Sequence, residues 1–193
     1  MGLWGASDSD ESKPKHLTTA EKKQVYATTA GWVREGNNAD QGNDNASAPP
    51  EVLVAIGGLT TSLGAATIAS VDMVTTAWDA SAGGTFQVRV RWNEPVDVVE
   101  AGSGLKMNVE NDSRANLTLR YASGTGTNEL TFTLVIGAAD SAIQAGDVLS
   151  IPEEDLVKAG STSVKDAGTS TVSEVSITAA QGTAAGTVTA TAS

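Results

Sequence analysis

The stretch Gly84-Thr-Phe-Gln-Val-Arg-Val-Arg-Trp-Asn-Glu-Pro95 decides the fold class of this chain. Its apolar and polar side chains alternate, and a period of two is typical of a strand with one face in a core and the other in water. Because proline has no backbone N–H for a central ladder, Pro95 is expected to end the strand. The predicted buried face holds Phe86, Val88, Val90 and Trp92.

Similar strand patterns recur downstream at intervals of roughly ten residues, with turn residues between them and no helical period. This spacing predicts an all-β fold, a β-sandwich rather than an α/β fold. The clearest hairpin joins 116–121 to 129–136 through the turn-forming residues 123–128. The predicted strands are 66–75, 84–92, 96–99, 105–109, 116–121, 129–136, 147–151 and 171–178. The further predicted core residues are Trp78, Leu117, Leu119, Tyr121, Leu130, Phe132 and Leu134.

The first 50 residues differ from the rest, since they hold most of the lysines and a long polar run before Pro49 and Pro50. We predict an extended N-terminal arm with a polar linker over 1–50 and the sandwich domain over 51–193, its core at 65–178. The run 51–57 is apolar and reads as a buried strand, and the tail 179–192 is compatible with one last strand.

Within the arm, Thr18-Thr-Ala-Glu21 fits a capping box and predicts a short helix reaching about Val25. The two segments 26–28 and 31–34 are compatible with a small hairpin as an alternative.

The composition excludes several function classes. The 193 residues carry a formal net charge of −11, and such a surface repels phosphate backbones, so no nucleic-acid partner is expected. No apolar run approaches the roughly 20 residues of a membrane span, so no membrane contact is expected. The chain has no cysteine, which excludes disulfides and thiolate metal sites. The first residues lack the basic start and apolar centre of a signal peptide.

No catalytic constellation is visible, so we predict a protein that is not an enzyme and takes no cofactor. The single histidine, His16, lies between lysines in the arm, and the predicted domain has no histidine to activate a nucleophile. No phosphate loop, dinucleotide fingerprint or zinc motif occurs. Acidic residues near two strand ends, among them Glu94, Asp97 and Asp147, form either a solvated rim or calcium-binding loops, and no metal ligand is assigned.

The arm is the predicted partner-binding segment. It contains Trp4 and Trp32, two large rings in a segment too polar to enclose them, so they either anchor the arm on a partner or fold back on the chain's own domain. The predicted contact residues are Trp4, Lys13, Lys15, Tyr26 and Trp32. Arg89 and Arg91, on the outward face of the best strand, are secondary candidates for an acidic neighbour, or else an ordinary solvated strand face.

Part of the chain resembles bacterial Ig-like repeats of surface and adhesin proteins. The resemblance covers about residues 68–178 and implies that the all-β fold is an Ig-like β-sandwich, but such modules serve as spacers, binders and decorations alike. Asn93 stands where serine is common in those repeats. The matching segments are Phe86-Gln-Val-Arg-Val-Arg-Trp-Asn-Glu-Pro-Val96, Leu105, Leu117-Thr-Leu-Arg-Tyr-Ala-Ser-Gly-Thr-Gly-Thr-Asn-Glu-Leu-Thr-Phe132 and Gly146-Asp-Val-Leu-Ser-Ile151.

The N-terminal text resembles small virion structural proteins of tailed phages, notably those of marine bacteria. The matching segments are Met1-Gly-Leu-Trp-Gly5, Asp8-Ser-Asp-Glu-Ser-Lys-Pro-Lys15, Ala20-Glu-Lys-Lys23, Tyr26-Ala-Thr28, Gly31-Trp-Val33 and Glu51-Val-Leu-Val-Ala-Ile-Gly57. This resemblance implies a protein of the phage particle surface, and Ig-like modules are frequent on phage heads and tails.

Taken together, these features predict a non-enzymatic capsid decoration protein that binds and stabilises the phage head through its arm. Its partners would be the major capsid protein or other virion proteins, a second copy of itself, and host surface glycans. Two alternatives are a tail, neck or fibre subunit, and a cell-surface adhesin or carbohydrate-binding module.

Overall fold

The computed structural model describes residues 13–28, 31–34, 45, 48–55, 65–101 and 104–192. Over these residues the protein is all-β, with two short helices and two separate hydrophobic cores. We call the described residues from 13 to 55 the N-terminal unit and those from 65 to 192 the main domain.

The N-terminal unit is folded, and this corrects the prediction of an extended arm. It contains helix α1 Thr19–Lys22 and strands β1 Val25–Thr28, β2 Gly31–Arg34 and β3 Glu51–Val54. The strands form an antiparallel sheet in the order β1-β2-β3, so the hairpin alternative is confirmed. The capping box at Thr18 is confirmed as well, although the helix ends three residues earlier than expected.

The predicted boundary at residue 50 is wrong, because β3 pairs with β2 and not with the main domain. Its four residues are exposed or half-buried, so this apolar run is not the buried strand that the sequence predicted. The run 51–57 is apolar because part of it packs on the small core of the N-terminal unit. Leu53 and Val54 make that contact.

The main domain holds twelve strands and one helix among its described residues. The first six strands are β4 Ile68–Met73, β5 Trp78–Asp79, β6 Gly84–Val99, β7 Leu105–Asn111, β8 Leu117–Ser123 and β9 Thr127–Ile136. The remaining elements are β10 Val148–Ser150, β11 Glu154–Asp155, β12 Val157–Lys158, β13 Ser163–Asp166, β14 Ser176–Ile177, α2 Ala179–Ala185 and β15 Thr187–Thr191.

These strands form one curled sheet in the order β13-β6-β9-β8-β7-β10-β15-β5, with β4 also paired to β6 and β12 to β7. β11 and β14 pair separately. The predicted hairpin is confirmed as β8 and β9, with Tyr121 opposite Phe132. The prediction of a strand over 171–178 holds only for Ser176–Ile177, while Val172 forms an isolated bridge with Lys165.

β6 is the longest strand of the main domain, with 16 residues, and Pro95 does not end it. On one side β6 pairs with β9, and on the other its first half pairs with β4 and its second half with β13. The ladder to β9 shifts register between Arg91 and Val96, so Pro95 lies in a bulge where no ladder donor is needed. The Pro95 carbonyl still accepts a hydrogen bond from Ala167 N at 2.9 Å.

The main core lies inside the curled sheet and confirms the predicted register. Phe86, Val88, Val90 and Trp92 are fully buried, and so are Leu119, Leu130 and Phe132. Leu117 and Trp78 are buried, whereas Tyr121 and Leu134 are half-buried at the margin of this core. The Trp92 indole N–H donates to the Glu174 carbonyl at 2.8 Å, which satisfies its polar atom in the interior.

The C-terminal tail completes the core. The last strand is confirmed as β15, which pairs with both β10 and β5 and buries Val188 and Ala190. The main core therefore extends past the predicted limit at residue 178. Helix α2 was not predicted, although Thr178 and Gln181 form a capping box of the kind that was recognised at Thr18.

Candidate interaction site

The N-terminal unit has its own small core, which positions most of the predicted contact residues. Leu17, Val25, Ala27 and Trp32 are buried in it, with Leu53 and Val54 packed partly against them. Strand β1 of this unit contacts β6 of the main domain. β3, at the other side of the small sheet, lies on the edge away from β1.

Three of the five predicted partner-binding side chains are buried within the chain. Trp32 is fully buried and Tyr26 nearly so. Lys13 is buried too, and its Nζ donates to the carbonyl of Lys22 at 2.9 Å, which ties the chain before α1 to the last turn of the helix. Trp32 therefore neither projects toward a partner nor packs in the core of the main domain: it is buried in the core of the N-terminal unit itself, and this corrects the expectation that the segment is too polar to enclose it. Trp4 lies outside the described residues.

The side chain of Lys15 is exposed, and Lys22 and Lys23 are half-buried. Between residues 13 and 34 the sequence holds five Lys or Arg and one Glu. The stretch 65–193 holds seven Lys or Arg against fifteen Asp or Glu. The segments 1–12 and 35–44 each add three carboxylates, so the basic character belongs to the α1 and hairpin segment alone.

Glu21 links the helix to the hairpin. The Thr18 backbone N–H and hydroxyl both donate to Glu21 Oε2 at 2.8 Å, and Arg34 Nη1 lies 3.9 Å from Glu21 Oε1. The hydrogen bond from the Thr18 backbone, helped by the Thr18 hydroxyl and by Arg34, holds the pKa of Glu21 below its ordinary value. Arg34 also pairs with Glu51 of β3 at 2.5 Å, so one guanidinium connects α1, β2 and β3.

Arg89 and Arg91 are engaged within the main domain, and this corrects the expectation of a solvated strand face. Arg91 is buried; its guanidinium pairs with Asp72 of β4 and, at 2.7 Å, with Glu129 of β9. Arg89 Nε lies 2.6 Å from the other Glu129 oxygen. Two cations and two carboxylates thus alternate across β4, β6 and β9. Such cross-strand ion pairs favour one register of these three strands. An acidic neighbour would compete with these existing partners.

Asp147 is the best-connected carboxylate of the acidic loops. Its Oδ2 accepts from Asn111 Nδ2 at 3.0 Å, from Gln144 N at 2.9 Å and from Arg114 Nε at 2.9 Å. Burial on its own raises the pKa of Asp147, but these three donors outweigh burial and hold the pKa below its ordinary value of 3.8. The carboxylate joins the loop before β10 to the end of β7.

Side chains that could act in catalysis or bind a metal ion are few in the described part of the chain. His16 is exposed. No group of three or more His, Cys, Asp or Glu side chains in the described ranges is arranged to hold a metal ion. Among the described helices none is long and apolar enough to cross a membrane.

No protein-family model matches the chain, and neither the curated proteins nor the solved structures compared with it contain a match.

Proposed function

We propose that this chain is a non-enzymatic structural protein of a tailed-phage particle, and specifically a capsid decoration protein that stabilises the head. In this proposal the main domain is an Ig-like β-sandwich, and the N-terminal unit contacts the major capsid protein or another virion protein. The observation that carries the proposal is the division of the described chain into two units with separate cores.

The two units differ in the size of their own hydrophobic cores. The main core draws its buried residues from Ala66 onward and needs none from the N-terminal unit. Among the described residues the N-terminal core has four buried members, and a three-stranded sheet with so small a core is marginal by itself. A unit of this kind gains stability from any surface that covers it, which suits a segment that docks on an assembled particle.

The mode of contact differs from the one that the sequence suggested. Trp32 is buried in the core of the N-terminal unit and Tyr26 is buried as well, so the contact is assigned to the basic residues of this unit. Lys15 and Lys23 flank α1 in the sequence; Lys15 is exposed and Lys23 is half-buried. An acidic surface on the partner would complement them, and such contacts chiefly steer association and fix orientation.

Stabilisation of the shell then follows from mass action. A protein that binds the assembled shell and not its free subunits shifts the equilibrium toward the shell by RT ln(1 + [L]/Kd). The effect needs no catalysis and scales with the number of bound copies. Particles without the protein are therefore expected to assemble and to release their DNA at a lower temperature.

The test measures occupancy and heat resistance together. Particles that lack the protein are incubated with the full chain, with Lys15→Glu/Lys23→Glu, or with the control Lys158→Glu/Lys165→Glu, which makes the same charge change on the main domain. We expect the first variant to bind less and the control to bind like the wild type, with DNA release following occupancy. Equal occupancy of both variants would contradict the basic contact. A copy number of a few per virion would contradict the shell role and favour a tail or neck position.

A further inference from the structure

The small sheet of the N-terminal unit is buried on both faces, although its own core lies on one of them. That core contains Val25, Ala27 and Trp32. Tyr26 and Val33 are paired directly opposite each other, and because successive residues of a strand point to opposite faces, both lie on the other face, which we call the second face. They are 4 % and 2 % exposed and belong to neither core of the described chain, so a surface outside the small core covers them.

Helix α1 lies by the face that carries the small core. Leu17, just before the helix, is buried in that core, and Glu21 of the helix lies 3.9 Å from Arg34, which points to the same face. The cover of the second face is therefore not this helix. It is also incomplete, since Val52, opposite Val33 in the ladder, is 49 % exposed. The covering surface lies toward β1 and away from β3.

The main domain presents a surface on the side of β1. β1, which carries Tyr26, contacts β6. β6 is paired along one edge with β9 and along the other with β4 and β13, and its apolar face lies in the main core. The places left for β1 are the outer face of β6, whose side chains are polar, and the bulge between Arg91 and Val96. A tyrosine suits such a contact, because its ring is apolar and its hydroxyl can bond to polar neighbours.

We propose that the second face is an interdomain interface, through which Tyr26 and Val33 dock the N-terminal unit on β6 of its own main domain. Two observations favour this occupant: β1 contacts β6, and the second face is buried at Tyr26 and Val33 but open at Val52. Docking gives the marginal unit the apolar burial that its small core lacks. Tyr26 then acts within the chain, and the interface sets the position of Lys15 and Lys23 relative to the main domain.

The inference goes beyond the proposed function, because it concerns a contact within the isolated chain and holds whether or not the chain decorates a capsid. Its first test identifies what covers the second face. Tyr26 is replaced by the photoreactive benzoylphenylalanine in the full chain, and cross-linked peptides are mapped by mass after irradiation. We expect cross-links to β6 within one chain, and none to β6 from the same probe at Val52. Cross-links to residues 1–12 or 35–44 instead, or between chains in a mixture of isotopically labelled and unlabelled protein, would overturn the proposal.

A second measurement quantifies the docking. Tyr26→Ala removes a ring that lies outside the small core, whereas Tyr26→Phe keeps the ring. Hydrogen exchange of the full chain reports how often β1 becomes accessible, over a wide range of opening free energies. We expect Tyr26→Ala to speed exchange in β1 at least about tenfold, since a buried interface tyrosine contributes strongly to binding. Tyr26→Phe should have a smaller effect, and the control Val52→Ala should exchange like the wild type. Exchange in β1 that stays as slow in Tyr26→Ala as in the wild type would contradict docking through this face.

Discussion

Gly182 of α2 lies directly against the backbone of Ile151, the residue that follows β10. A Cβ atom on Gly182 would lie 2.4 Å from the Ile151 carbonyl oxygen, much closer than van der Waals contact. The neighbouring residue Gln181 contacts a different strand, since its side-chain amide donates to the Ile68 carbonyl at 2.6 Å. Because Ile68 is the first residue of β4, α2 contacts both β4 and the end of β10.

We therefore expect Gly182→Ala to destabilise the main domain by about 1–3 kcal/mol, because the added methyl group must push the helix away from β10. Gly137→Ala is the matched control, since a Cβ there meets nothing within 4 Å. The control should be neutral or slightly stabilising, because alanine lowers the entropy of the unfolded chain. Urea unfolding of both variants measures the difference. Equal midpoints would show that α2 is not tightly packed.

Phe132 is fully buried opposite Val88 in the β6–β9 ladder, and its ring meets Tyr121 edge-on at 6.2 Å. Phe132→Ala should lower the free energy of unfolding by about 3–5 kcal/mol, through lost transfer energy and the cavity that remains. Val135→Ala, on the outward face of the same strand, should change it by less than about 0.5 kcal/mol. Thermal unfolding distinguishes the two, and a small effect of Phe132→Ala would show that the strand register is wrong.

Trp32 is the largest buried side chain of the N-terminal unit. Its removal should unfold this unit and spare the main domain, because the two cores share no buried residue. Hydrogen exchange followed by peptide mass measures the effect. We expect Trp32→Ala to abolish amide protection in β1 and β2, with Trp32→Phe keeping part of it. Loss of protection in β6 and β9 as well would mean that the units fold as one.

Asp147 should make stability depend on pH in the acid range. Its pKa is lower in the folded chain than the ordinary value of 3.8, so the folded state holds fewer protons than the unfolded state. The stabilisation is complete above the unfolded pKa and is lost as the pH falls through the folded pKa. Asp147→Asn should cost about 1–3 kcal/mol at neutral pH and flatten this part of the profile. Urea unfolding at several pH values between 5 and 2 measures the free energy of unfolding of both proteins. If it falls with pH as steeply in Asp147→Asn as in the wild type, the assignment is contradicted.

Several local features could be read from the sequence because they depend on neighbours a few positions away. Alternation in residues 84–92 determines which side chains of β6 face inward, since a strand turns every second residue to the same face. The capping signature at Thr18 determines where α1 begins. The same signature occurs at Thr178, but the residues around it are alanine, glycine and threonine, which show no apolar period that predicts a helix.

The environment of each candidate contact residue was decided by the tertiary structure alone. Arg91 pairs with Asp72 and Glu129, which are 19 and 38 positions away, and Trp32 is enclosed partly by Leu53 and Val54 of a strand beyond the polar linker. No local pattern distinguishes a tryptophan that awaits a partner from one that its own chain covers. Hydrophobic burial and ion pairing act between surfaces brought together by folding, whereas the periodicity of a strand is already present in the unfolded sequence.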